Sequence, residues 1–138
     1  NHRLAPIDPF GNPTPTWSLL REVNLQLHHL GPTYLQCRSI NVIHHEDAAA
    51  GGVKGVKNSR YLAELRGGSL LVGEFEGPGR TPYAMVVNKS LRDSVVFHVR
   101  FKKSAATRLV NPYTGNSQPW VGENNWLAPG QGMFLYPG

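Results

Sequence analysis

Three observations predict an all-β fold: an antiparallel β-sandwich of about eight short strands with one N-terminal α-helix. Residues 69–102 hold three short apolar runs, at 70–75, 83–87 and 95–101, separated by two polar breaks rich in Gly, Pro, Asn and Asp. β-Branched and aromatic runs bounded by such residues are the signature of strands joined by hairpins. In the third run Val95, Phe97, Val99 and Phe101 alternate with Val96, His98, Arg100 and Lys102. That period of two is what a strand with one buried and one wet face requires. The 138 residues also include 15 Gly and 11 Pro, enough to favour many turns and short strands over long helices. The three runs predict a three-stranded antiparallel meander at the centre of the fold.

The elements follow in order. Residues 1–13 carry no period and read as an extended lead-in. Thr14 is an N-cap, with Pro15 at the first helical position where a missing N–H costs nothing. Trp17, Leu20, Val23, Leu27 and Leu30 then recur at helical spacing, predicting a helix over 15–30 that Gly31-Pro32 ends. Leu19 and Leu25 lie off that stripe, so the helix wants more than one apolar neighbour. In 34–45 the apolar parity switches near Ser39, which predicts two short strands or one with a bulge or bend. Residues 46–57 are small and Gly-rich and read as a flexible loop, whereas 60–65 reads as a strand. Beyond the meander, strands are expected at 107–110, 118–121, 124–127 and 133–136. A Pro-Gly turn at 111–115 and a type II turn at 128–132 connect them. The organisation expected is a lead-in (1–13), a helix (14–31) and one sandwich domain (32–138), with no internal repeat.

Composition narrows the partners. The formal charge is +5, but the 14 Lys and Arg are dispersed. The densest groups, Lys54/Lys57/Arg60 and Arg100/Lys102/Lys103, fall short of a nucleic-acid-binding basic run, so a solvated basic face and no nucleic-acid partner are expected. No apolar run approaches the ~20 residues of a membrane-spanning helix. Cys37 is the single cysteine, which makes no intrachain disulfide and reads as a small packed side chain. The chain begins Asn1-His2 without Met, which reads as a processed or excised piece of something longer.

Candidate chemistry is sparse. His44-His45-Glu46-Asp47 is the most metal-like string, yet on a strand His44 and His45 point to opposite faces, and no metal site or cofactor is expected. His28-His29 read as last-turn residues that complement the helix dipole. Glu74 and Glu76, two apart on a strand, have the spacing of a glycosidase carboxylate pair. Their place beside a hairpin turn favours a wet edge, so no catalytic residue is assigned. Tyr113, Trp120 and Trp126 lie in the turn-rich C-terminal part. They are candidates for carbohydrate binding through exposed aromatic faces, or else cover one end of the core.

The chain resembles the tail of a multidomain (β/α)8-barrel glycoside hydrolase: the last barrel helix followed by a small C-terminal β-sandwich. The residues that carry the resemblance are 13–17 opening the helix, Val23-Asn24, and 30–35. They continue in 71–75 and 83–88, and in 109–115 with 127–132. The resemblance implies a non-catalytic accessory domain of a secreted or periplasmic enzyme, packed on the catalytic barrel of the same polypeptide. It also explains a helix that is apolar on more than one side. The family's catalytic carboxylates sit on barrel strands that these residues do not include, so none is carried over. The alternative is a carbohydrate-binding module that uses the exposed aromatics on a polysaccharide.

Overall fold

The structure, a computed structural model, describes residues 5–46, 56–121 and 125–138. It is built mainly from antiparallel strands with one helix, α1 (Pro15–Tyr34). Six strands form the main sheet: β1 (Arg38–His45), β3 (Leu70–Glu76), β4 (Pro82–Asn88), β10 (Gly132–Pro137), β7 (Thr107–Val110) and β8 (Ser117–Pro119), in that spatial order. Two small two-stranded ladders accompany it. One pairs β2 (Leu62–Arg66) with β6 (His98–Phe101), the other β5 (Val95–Val96) with β9 (Trp126–Leu127).

One face of the main sheet supplies Ile43, Leu70, Val72, Ala84, Val86 and Leu135 to the core. Leu62 and Leu65 of β2 and Val99 and Phe101 of β6 close over it, all nearly inaccessible to water. The alternation expected in the third run holds here: Phe97, Val99 and Phe101 are buried while His98, Arg100 and Lys102 are exposed. Residues on a strand's two faces thus separate as pleating demands.

The opposite face carries an aromatic cluster. Tyr34, at the end of α1, packs edge-on against Phe75 (5.2 Å between ring centroids) and Phe134 (6.0 Å). Tyr83 stacks on Phe134 at 5.2 Å and lies 5.1 Å from Tyr136.

The expected meander is corrected in its third strand. β3 and β4 form the hairpin, but residues 95–101 leave the sheet: β5 joins β9, and β6 joins β2. The physical reason lies in Asn88, at the end of β4. Its buried amide donates to the carbonyls of Asp93 (2.8 Å), Ala128 (3.2 Å) and Leu127 (3.3 Å), folding the connection back. The open edge of β4 is taken instead by β10.

The helix also runs further than Gly31-Pro32 predicts. Gly31 keeps a negative φ, and the Leu35 N–H donates to the Gly31 carbonyl at 2.8 Å, with Pro32 inside the last turn. Anchorage of Tyr34 in the aromatic cluster overrides the local stop signal. Thr14 occupies the N-cap without a side-chain cap bond; its hydroxyl donates to the Ala5 carbonyl at 2.6 Å. Residues 5–13 therefore form a closed turn, fastened by the Asp8 carboxylate accepting from the Phe10 and Asn12 N–H groups.

The parity switch in 34–45 is one strand, β1, with its register shift between Ser39 and Asn41. The turn at 128–131 is type II, with Gly130 at φ 69° and the Gln131 N–H on the Ala128 carbonyl. Most of the Gly-rich loop, and Asn124, lie outside the described residues.

Candidate functional site

Glu74 is the first residue any search for an active site meets, and its position is unlike the wet edge expected for it. It shares the core-facing parity of Leu70 and Val72, and it is fully buried. Four donors converge on its carboxylate. The Ser59 hydroxyl donates to Oε1 at 2.5 Å and the Tyr61 N–H to the same oxygen at 2.9 Å. Asn41 Nδ2 donates to Oε2 at 2.9 Å and the Arg60 N–H at 3.0 Å. Burial alone would raise the Glu74 pKa, but these hydrogen bonds outweigh it and hold the carboxyl below its ordinary value. The reason for the correction is that the segment before β2 brings its own donors to a carboxylate the pleat turns inward.

Glu76 is held too. Arg38 donates to Oε1 at 2.8 Å and the Tyr61 hydroxyl to Oε2 at 2.8 Å. The Arg38 and Tyr61 hydrogen bonds lower its pKa. Both carboxylates are thus ionised and already bonded, with the donors that hold them spoken for. They clasp β1 and the Ser59–Tyr61 segment to β3. A general acid would need a raised pKa, the opposite of what is found.

The remaining candidates are dispersed. His44 is exposed and His45 buried, on opposite faces of β1 as a strand requires, and Asp47 lies outside the described residues. Among the described residues no cluster of three His, Cys, Asp or Glu could hold a metal. His28 and His29 pack edge to face at 5.7 Å, short of the last turn now that α1 extends to Tyr34, so the dipole argument does not reach them. Cys37 is half-buried beside Gly77, and burial raises its thiol pKa, which makes it a poor nucleophile.

Of the three aromatic candidates, Trp120 packs on Phe97, with centroids 5.4 Å apart, and flanks the core. Trp126 faces solvent beside its cross-strand partner Val96 and is 58% exposed. Tyr113 is 62% exposed on the turn beside α1. Trp120 is thus directed inward while Trp126 is directed outward.

A prominent exposed apolar feature is α1 itself. None of its twenty residues is buried, although it carries Trp17, Leu19, Leu20, Val23, Leu25 and Leu27, all exposed to solvent. Leu19 and Leu27 are 66% and 60% accessible. Between α1 and the sheet runs a groove of about 570 Å³, with Val23, Gln26 and Leu30 on one wall and Met85, Tyr113 and Gly130 on the other. The helix is moored at its C-terminal end by Tyr34 and by Gly115, whose absent side chain leaves room for the His29 carbonyl. Sequence reasoning found the helix and its excess of apolar faces. It missed Asn41, Ser59 and Tyr61 as partners of Glu74 and Glu76, because those contacts join residues far apart along the chain.

No protein-family model matches the chain, and neither does any curated protein or solved structure.

Proposed function

We propose that this chain is a non-catalytic accessory β-sandwich domain of a secreted glycoside hydrolase, packed through α1 on a catalytic (β/α)8 barrel of the same polypeptide. The observation that carries the reading is the exposure of α1: twenty residues, seven large hydrophobic side chains exposed (Tyr34 included), and none buried. Large apolar side chains gathered in such number on one exposed element mark an interaction site. The lowered pKa values of Glu74 and Glu76, and their occupied hydrogen-bonding sites, support a role in holding the domain together over one in catalysis. The barrel as partner rests on the sequence resemblance at 13–17, 23–24 and 30–35.

The test compares hydrogen exchange in α1 for this chain alone and for a longer polypeptide that includes the upstream coding segment. Slower exchange at Trp17, Leu20 and Val23 in the longer protein is expected. Equal exchange in the two, or hydrolysis of aryl glycosides by this chain alone, would overturn the proposal.

A second reading, a carbohydrate-binding module, draws on the exposure of Tyr113 and Trp126. It requires a polysaccharide to shift tryptophan fluorescence and Trp126→Ala to abolish the shift. A flat titration over soluble glycans counts against it.

A further inference from the structure

A cleft of about 580 Å³ opens between the ends of β3, β4, β6 and β10, with no α1 residue in its walls. Four cationic side chains line it, Arg60, Arg80, Lys102 and Lys103, against one carboxylate side chain, Glu76, with Gly138 also in the wall. That carboxylate is neutralised from the side by Arg38 and bonded by the Tyr61 hydroxyl. Two of the cations are positioned by the fold. Lys102 Nζ donates to the Ser59 carbonyl at 2.7 Å, leaving its other N–H groups for a ligand. The Arg60 guanidinium lies over the Tyr61 ring, 5.8 Å from its centroid. Arg80 and Lys103 form no ion pair among the described residues. Phe101, Pro82 and Pro137 supply an apolar part of the lining, beside Tyr61 and Ser104.

Arg80 adds a second, independent observation. Residues Pro78 to Thr81 make the β3–β4 turn, with the Thr81 N–H on the Pro78 carbonyl at 3.2 Å. Both central residues are left-handed, Gly79 at φ 63° and Arg80 at φ 59°. This is a type I′ turn, whose second central position favours glycine. A bulky side chain there is a genuine outlier, and Arg80 is the sole non-glycine at positive φ among the described residues. Backbone strain of this kind gathers at ligand-binding sites.

We propose that this cleft binds a small organic anion, an oxyanion group (carboxylate, sulfate or phosphate) borne on a body with an apolar face. Arg80 and Lys103 supply the free charge, Lys102 and Arg60 the fixed charge, and Phe101 with the two prolines the apolar floor. The volume suits a small-molecule ligand. Planar guanidinium donors favour oxyanions through paired hydrogen bonds. The inference goes beyond the docking reading and does not depend on it.

The test is isothermal titration calorimetry of this chain with glucuronate, phenyl phosphate and inorganic phosphate, with glucose and phenol as uncharged controls. Glucuronate and phenyl phosphate distinguish a carboxylate from a phosphate source. At least one of these two is expected to bind at a single site, with inorganic phosphate about tenfold weaker and the neutral compounds silent. Lys103→Gln should weaken binding about tenfold. Arg80→Gly should abolish binding while raising the melting temperature, because glycine relieves the left-handed backbone. A folded Arg80→Gly protein that still binds, a fall in its melting temperature, neutral compounds binding as tightly as anions, or no saturation by either organic anion would each overturn the proposal.

Discussion

The Ser59 hydroxyl donates a 2.5 Å hydrogen bond to Glu74, joining the segment before β2 to the middle of β3 inside the core. Ser59 Oγ also accepts from the Leu62 N–H at 2.7 Å, so the serine links a buried charge to the backbone that starts β2. Removing one partner of a buried polar group costs the desolvation of the other. Glu74→Ala should therefore cost more than about 3 kcal/mol, since four donors lose their acceptor. Ser59→Ala, which removes one, should cost about 2 kcal/mol. Urea denaturation followed by circular dichroism reads both. A Glu74→Ala protein as stable as the parent would show that the clasp contributes nothing.

The same carboxylates set the acid limb of stability. Glu74 and Glu76 have folded-state pKa values below their ordinary value near 4.5. In the window between the folded values and 4.5 the unfolded chain binds more protons, so stability rises with pH. Their contribution is fully present above the unfolded value and is lost as pH falls through the folded values. The urea midpoint of the parent should drop on acidification from neutral, and Glu74→Gln should show a shallower drop. An identical pH profile for the two proteins would contradict the assignment.

Gly115 controls how α1 sits on the sheet. Its φ is 74°, and a β-carbon there would lie 2.9 Å from the His29 carbonyl oxygen. Gly115→Ala should cost about 1–2 kcal/mol from the left-handed backbone, with the clash in addition. Hydrogen exchange should accelerate across α1 more than in β3 or β4. Uniform acceleration across the whole domain would argue that the turn does not specifically moor the helix.

Asn88 tests the redirected third run. Its amide nitrogen faces three carbonyls, and its Oδ1 accepts from the Ser90 N–H at 2.9 Å. Asn88→Asp places an acceptor against those carbonyls and should destabilise by about 3 kcal/mol or more, exceeding Asn88→Ala. Thermal melts of the two variants give the ranking. If Asp is the milder substitution, the donors at Asn88 are not what folds the 88–95 connection back.

Surface substitutions on α1 should separate folding from docking. Leu20→Ser and Leu27→Ser alter exposed side chains and should change the isolated domain's stability by no more than about 0.5 kcal/mol. In a longer polypeptide carrying the proposed barrel, the same changes should restore fast exchange to α1. A large loss of stability in the isolated domain would mean that Leu20 and Leu27 already pack on this sandwich.

By itself the sequence determined the features that depend on neighbours along the chain. The alternation of Val95 to Lys102, the bulge near Ser39, the turns at Asn111 and Pro129, and the start of α1 at Thr14-Pro15 are all local. Pleat, φ preference and helical spacing act over a few residues, so a single chain displays them. Only the tertiary structure decided which strand pairs with which, because ladder partners are remote along the chain and their pairing depends on packing across the whole fold. It decided that β10 rather than residues 95–101 lies beside β4, and that Tyr34 carries α1 past Gly31-Pro32. It also decided the fate of Glu74. A carboxylate on an alternating strand can be wet or buried, and the choice falls to donors at Asn41, Ser59, Arg60 and Tyr61, thirteen to thirty-three residues away.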